Sequence, residues 1–232
     1  MRKRRYRPEP APPADAESYI LVKSKEGPYW RRKRGSLTKA KLNKGYQKSA
    51  NATSIVSPAA KRIRDKLDEF LINLQTGRFI ANVSGKLRKI FNKTGELDFS
   101  LLNGYELQPY FPLSSLFTSR YHVSEKNNEL TVHILLHKNA VKRLNSLVTG
   151  YYFEVVLLSG DPGKPKGLRT DSEISPLYGF GEKRETECRL SLALPAKKVP
   201  WMLLLKVSCL EDNALAHHPR HYGMKVIKVG GK

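Results

Sequence analysis

The chain has 232 residues, with 42 Lys+Arg against 21 Asp+Glu and a formal net charge of +21. Two cysteines exclude a disulfide-dense scaffold and a four-cysteine metal site. No apolar run approaches the roughly 18 residues that a membrane-spanning helix needs.

The positive charge is concentrated at one end. Residues 1–95 hold 24 Lys+Arg and 7 Asp+Glu, and residues 96–232 hold 18 and 14. The first part repels itself and is relieved by an anionic partner, whereas the second has the balance of an ordinary folded domain. Residues 1–7 form a basic cluster that runs into the proline-rich residues 8–13. A secretory leader needs an apolar stretch of about 7–15 residues at that point. The expectation is a cytoplasmic protein whose Asn-X-Ser/Thr sequons at Asn51, Asn82 and Asn92 are accidental.

Residues 19–22 (Tyr-Ile-Leu-Val) read as an isolated strand. Tyr29 and Trp30 are followed by Arg31, Arg32, Lys33 and Arg34. Two adjacent aromatics before four cations suit stacking on bases combined with neutralisation of phosphates. Residues 36–56 are polar, Lys-rich and weakly periodic. Ser57 and Pro58 then have the chemistry of a helix start, a side-chain acceptor followed by proline in the first turn. Ile63, Leu67, Phe70, Leu71 and Leu74 recur at helical spacing, and Gly77 reads as the stop. A second helix is predicted from Phe79 to near Gly95, with Phe79, Ile80, Val83, Leu87, Ile90 and Phe91 on its apolar side. Its polar side carries Arg78, Lys86, Arg88, Lys89 and Lys93 and no acid, so Lys86, Arg88 and Lys89 join the candidate contact surface.

Residues 98–115 are irregular, and the period then changes to two. Residues 117–123 are the expected first strand. Alternation through Leu130, Val132, Ile134 and Leu136, through Tyr151, Phe153, Val155 and Leu157, and through Cys188, Leu190, Leu192 and Leu194 predicts half-buried strands. The strand containing Trp201, Leu203, Leu205, Val207 and Cys209 is apolar on its other face as well, which predicts burial on both sides. Residues 222–229 form the expected last strand. Residues 139–148 are expected to form a short helix on Val141, Leu144 and Leu147, and residues 161–176 are an unassigned Gly/Pro/Lys-rich loop.

Chemical motifs are sparse. His217, His218 and His221 share one short loop bent by Pro219, with no Cys or carboxylate at ligand spacing, so no metal or cofactor is expected. His122, His133 and His137 occur singly and read as strand residues. Cys188 and Cys209 read as buried free thiols on inward strand faces. Both Gly-Lys pairs lack the following Ser/Thr of a phosphate loop, and no Gly-x-Ser-x-Gly or His-Glu-x-x-His occurs. No catalytic residue is predicted, and the chain is expected not to be an enzyme.

The order of features resembles uncharacterised small-protein families of Bacteroidota. Those features are Gly27-Pro-Tyr-Trp30 leading the basic segment, the Ser57-Pro58 helix start, Pro200-Trp201 and His218-Pro-Arg-His-Tyr-Gly223. In these families a basic N-terminal region and a helix precede an immunoglobulin-like sandwich. The resemblance implies that fold and carries no activity or site residue.

The sequence thus predicts an α+β protein. A basic, partly disordered arm (1–56), a helical pair (57–95) and an irregular connection (96–115) precede an antiparallel, immunoglobulin-like β-sandwich (116–232). The expected function is a non-enzymatic nucleic-acid-binding accessory protein that binds DNA or RNA through its basic arm without base specificity. The alternative is a structural or assembly adaptor whose sandwich and arm bind an acidic protein surface. A membrane-surface role is disfavoured, because the arm lacks the large apolar moment such anchors use.

Overall fold

Two long strands buried on both faces organise the greater part of the chain. The computed structural model describes residues 9–24, 27–33, 43–138, 140–180, 187–212 and 214–231. It divides into two units, residues 1–47 and 48–232.

In the first unit β1 (Tyr19–Ser24) pairs antiparallel with β2 (Gly27–Arg32), Leu21 opposite Trp30 and Val22 opposite Tyr29. The strand expected to be isolated therefore has a partner, and the partner is the aromatic and basic segment itself. Ile20, Val22, Tyr29 and Trp30 are all residue types that fit a pleated surface, and pairing satisfies both backbones.

Helix α1 (Lys44–Leu67) begins well before Ser57. Asn43 caps it, its Oδ1 accepting from Tyr46 N at 2.9 Å, which is the bond the Ser57 side chain was expected to make at the later start. Pro58 lies inside the helix on its exposed side, where the one carbonyl it leaves free faces water. The boundary at residue 56 is corrected accordingly: Ala52 and Val56 already belong to the buried stripe continued by Ala59, Ala60, Ile63 and Leu67. A 3-10 turn at Asp68–Leu71 buries Phe70 and Leu71. Helix α2 (Phe79–Thr94) follows the predicted span and ends on Gly95 at φ 76°, a left-handed conformation that glycine adopts without a Cβ penalty.

Residues 96–112 hold a 3-10 turn at Ser100–Leu102 and then line the free edge of the last strand. Gly104 N donates to Val226 O, Val226 N to Tyr105 O, and Leu107 N to Met224 O, each at 2.9 Å. They cover an edge that would otherwise be open to pairing. A single helical turn, α3 (Leu113–Leu116), follows.

The remaining strands are β3 (Tyr121–Lys126), β4 (Glu129–Leu135), β5 (Val148–Gly160), β6 (Leu168–Ile174), β7 (Tyr178–Gly179), β8 (Glu187–Ala193), β9 (Trp201–Glu211), β10 (Ala214–Leu215) and β11 (Tyr222–Gly230). They form two antiparallel sheets. The larger has β5 and β9 side by side at its centre, with β6 and β7 beyond β5 and β10 and β11 beyond β9. The smaller has the order β3-β4-β8. One core lies between the sheets, where Tyr151, Phe153, Val155 and Leu157 of β5 and the odd-numbered residues of β9 meet Val132, Ile134 and Leu190. A second core lies on the opposite face of the large sheet, where Val156, Leu158, Met202, Leu204, Met224 and Val226 are covered by α1 and α2. The fold is α+β, with the helices, the large sheet and the small sheet as successive layers, and β9 is buried on both faces as its sequence predicts.

Three further expectations change. The first strand of the small sheet starts at Tyr121, and Phe117 makes only an isolated bridge to Val141. Among residues 140–148 no helix forms. Lys142 N donates to Leu116 O, Val148 N to the Asn145 side chain, and Arg143 Nε to Val148 O, so these groups are engaged outside any helical ladder. The unassigned loop contains β6, an edge strand whose residues between Leu168 and Ile174 are polar.

Candidate nucleic-acid interface

The hairpin distributes the predicted cluster over two faces, because strand side chains alternate and directly opposed residues share a face. Tyr29 and Arg31 share one face with Val22 and Ile20, while Trp30 and Arg32 share the other with Leu21 and Tyr19. Tyr29 is 46% exposed, so its ring is open to stacking. Trp30 is half-buried, and its Nε1–H donates to Pro10 O at 2.8 Å, which ties the proline-rich segment to the hairpin. Arg32 and Lys33 are exposed and Arg31 is half-buried. Arg34 lies outside the described residues.

In the second unit the cations of α2 fall into two groups. Lys86 Nζ donates to Leu101 O at 3.0 Å and lies 5.7 Å from the centre of the Tyr105 ring, and Arg88 donates to Thr53 Oγ1 of α1. Both are engaged inside the fold. Lys89 and Lys93 are exposed. On α1, Lys61 and Lys66 are also exposed, and Arg62 donates to Pro162 O and Gly163 O. Among the described residues no ion pair involves a Lys or Arg of either long helix, whereas Lys164, Arg189, Lys206, Lys225 and Lys228 each pair with an acid. The helical layer therefore presents cations that no acid pairs, as do Lys126 of β3 and Arg169 of β6.

The histidine-rich loop folds as a 3-10 turn at Pro219–His221, with His218 Nδ1 accepting from Arg220 N. His221 is fully buried with Nε2 3.5 Å from Glu211 Oε1, and burial holds its pKa below the ordinary value. No group of three His, Cys, Asp or Glu among the described residues is arranged to hold a metal. Cys188 and Cys209 form no disulfide and are buried in the core between the sheets, on strands that belong to different sheets.

One polar arrangement escaped the sequence. The outer face of β3-β4-β8 carries His133 between Ser124 and Glu187. The His133 Nε2 to Ser124 Oγ distance is 3.3 Å and the Nδ1 to Glu187 Oε1 distance is 2.8 Å. Arg189 Nε donates to Glu187 Oε2 at 2.8 Å. These residues are scattered along the chain, and only the register of three strands brings them together.

No family model, curated protein or solved structure matches the chain, so the resemblance to Bacteroidota families rests on layout alone. Among the described residues no helix is long and apolar enough to cross a membrane.

Proposed function

We propose that the protein is a cytoplasmic nucleic-acid-binding accessory protein that grips the phosphate backbone of DNA or RNA without reading bases. The observation that carries this reading is the absence of ion pairs on α1 and α2 among the described residues, in a chain of formal net charge +21. Exposed cations that no acid pairs form the electrostatic footprint of a phosphate-binding surface. The hairpin adds Arg31, Arg32 and Lys33 beside the open ring of Tyr29, a combination suited to single strands. Lys89 and Lys93 are the contact residues of α2, and Lys86 and Arg88 hold the layer in place. Binding of this kind requires no catalysis, cofactor or metal.

The test is the salt dependence of binding. Replacing Arg31, Arg32, Lys33 and Arg34 by Ala removes up to four phosphate contacts. The plot of log K against log salt should then flatten by roughly 3–4 units, at about 0.9 per contact on duplex and 0.7 on single strand. Lys89→Ala with Lys93→Ala should flatten it by up to about 2 units on the same scale. Unchanged slopes in both variants refute the reading. An acidic protein that copurifies and survives nuclease would instead identify the adaptor.

A further inference from the structure

The hydrogen-bonded chain on the outer face of the small sheet has the arrangement of an activated nucleophile. Its parts are a hydroxyl, an imidazole within reach of it, and a carboxylate that orients the imidazole. Glu187 Oε1 lies 2.8 Å from His133 Nδ1, so a proton on Nδ1 is held there and the Nε2 lone pair faces Ser124 Oγ at 3.3 Å. The second oxygen of Glu187 is held by Arg189, through Nε at 2.8 Å and Nη2 at 2.7 Å. The hydrogen bonds from Arg189 and then His133 hold the Glu187 carboxyl below the usual carboxylate range, which keeps it ionised. His133 and Glu187 are each about 28% exposed, so the chain is open to a ligand.

We propose that Ser124, His133 and Glu187 form a nucleophilic site that hydrolyses a small ester. Ser124 Oγ attacks the carbonyl carbon while its proton passes to His133 Nε2, and the carbonyl electron pair moves to the oxygen. Collapse of this intermediate breaks the bond to the alcohol, which leaves with the proton from His133. Water then attacks the acyl-Ser124, giving its proton to His133, and the carboxylic acid departs as Oγ is reprotonated. His122 and Lys126 flank Ser124 two residues away on either side, on the same face of β3. Lys126 is the cation and His122 a second polar group along that strand that would meet the oxyanion. Exposed Leu135, directly opposite Glu187, supplies an apolar contact beside the site.

The site is independent of the nucleic-acid reading, since none of its residues belongs to the hairpin or the long helices. The experiment uses the full chain with two probes, a fluorophosphonate that labels activated serines and p-nitrophenyl acetate. The expected result is one phosphonyl adduct, mapped to Ser124 by peptide mass spectrometry, together with turnover of the acetate. Ser124→Ala should abolish both. His133→Gln should slow labelling at least a hundredfold, with an unchanged circular dichroism spectrum and melting temperature. Glu187 is a positioning residue, and Glu187→Gln should lower kcat at least tenfold with KM unchanged, while Glu187→Asp restores part of the loss. An unlabelled Ser124 in the wild type, or Ser124→Ala hydrolysing acetate at the wild-type rate, overturns the proposal. The chain would then be a cross-strand hydrogen-bond ladder only.

Discussion

Lys206 and Glu154 face each other across β9 and β5 with Nζ 3.1 Å from Oε2, their side chains only 8% and 9% exposed. They lie on the helix-facing side of the large sheet, Lys206 also standing opposite Met224 of β11. Removing one member leaves a charge with no partner at a site nearly closed to water. Lys206→Met should therefore cost about 3–5 kcal/mol, which for a chain of this length lowers Tm by roughly 10 °C. The double variant Glu154→Leu/Lys206→Met replaces both charges by apolar groups of similar volume and should lie within about 1–2 kcal/mol of wild type. Urea denaturation of the three proteins measures these differences. A Lys206→Met protein within 1 kcal/mol of wild type at pH 7 would refute the argument that this pair is closed to solvent.

Three shorter predictions concern other side chains. His221 is held neutral by burial against the attraction of Glu211 and with Arg220 and His218 nearby, so its folded pKa lies below the unfolded value. Stability contributed by this site is present above about pH 6.5 and falls as pH drops through that value, and His221→Phe should flatten the urea midpoint between about pH 5 and 6.5. Cys188 and Cys209 are buried, and burial pushes the Cys209 thiol up to about 12. Neither should react with a thiol-specific aromatic disulfide at pH 8 until urea unfolds the chain. Trp30→Phe removes the hydrogen bond to Pro10 O together with part of the ring's contact area and should loosen the hairpin by at least about 0.5–1.5 kcal/mol, seen as roughly two- to twelvefold or greater acceleration of amide exchange in β1 and β2.

What the sequence makes legible depends on how local the determining forces are. The double-sided burial of β9 is visible because both alternating sets of side chains are apolar, and α2 is visible because its stripe and its Gly95 cap lie within one short segment. The start of α1 is misread because Ser57 and Pro58 have start chemistry, while Asn43 holds the actual cap and tertiary burial of Ala52 and Val56 extends the helix upstream. β6 is invisible because an edge strand with Arg169, Asp171, Ser172 and Glu173 has no apolar face to reveal it. Val141, Leu144 and Leu147 imitate a helical period, yet Leu144 and Leu147 remain exposed and the neighbouring backbone bonds to α3 and to side chains. Among candidate site residues, the consecutive cations and aromatics of β2 are legible because they adjoin in sequence. The Ser124–His133–Glu187 chain is not, because it exists only through the registers of β4 with β3 and with β8.

The layer order also decides whether the β-rich half can stand alone. Residues 96–232 contain both sheets, but α1 and α2 cover the helix-facing side of the larger one. Without them Val156, Leu158, Met202, Leu204, Met224, Val226 and Leu168 lose their cover. Each such side chain contributes about 1.5–3 kcal/mol when fully buried, so exposing these seven withdraws roughly 10–20 kcal/mol as an upper estimate. That matches or exceeds the 5–15 kcal/mol by which a typical domain is stable at all. The core between the sheets cannot offset the loss, since it is unchanged by the truncation. A 96–232 fragment should therefore aggregate or bind a hydrophobic dye, and adding a separate peptide of residues 43–95 should restore part of its solubility by covering the sheet. A 96–232 fragment that is monomeric and melts cooperatively near the full-length Tm would show that the helices are an appendage, and that the second core contributes little to the fold.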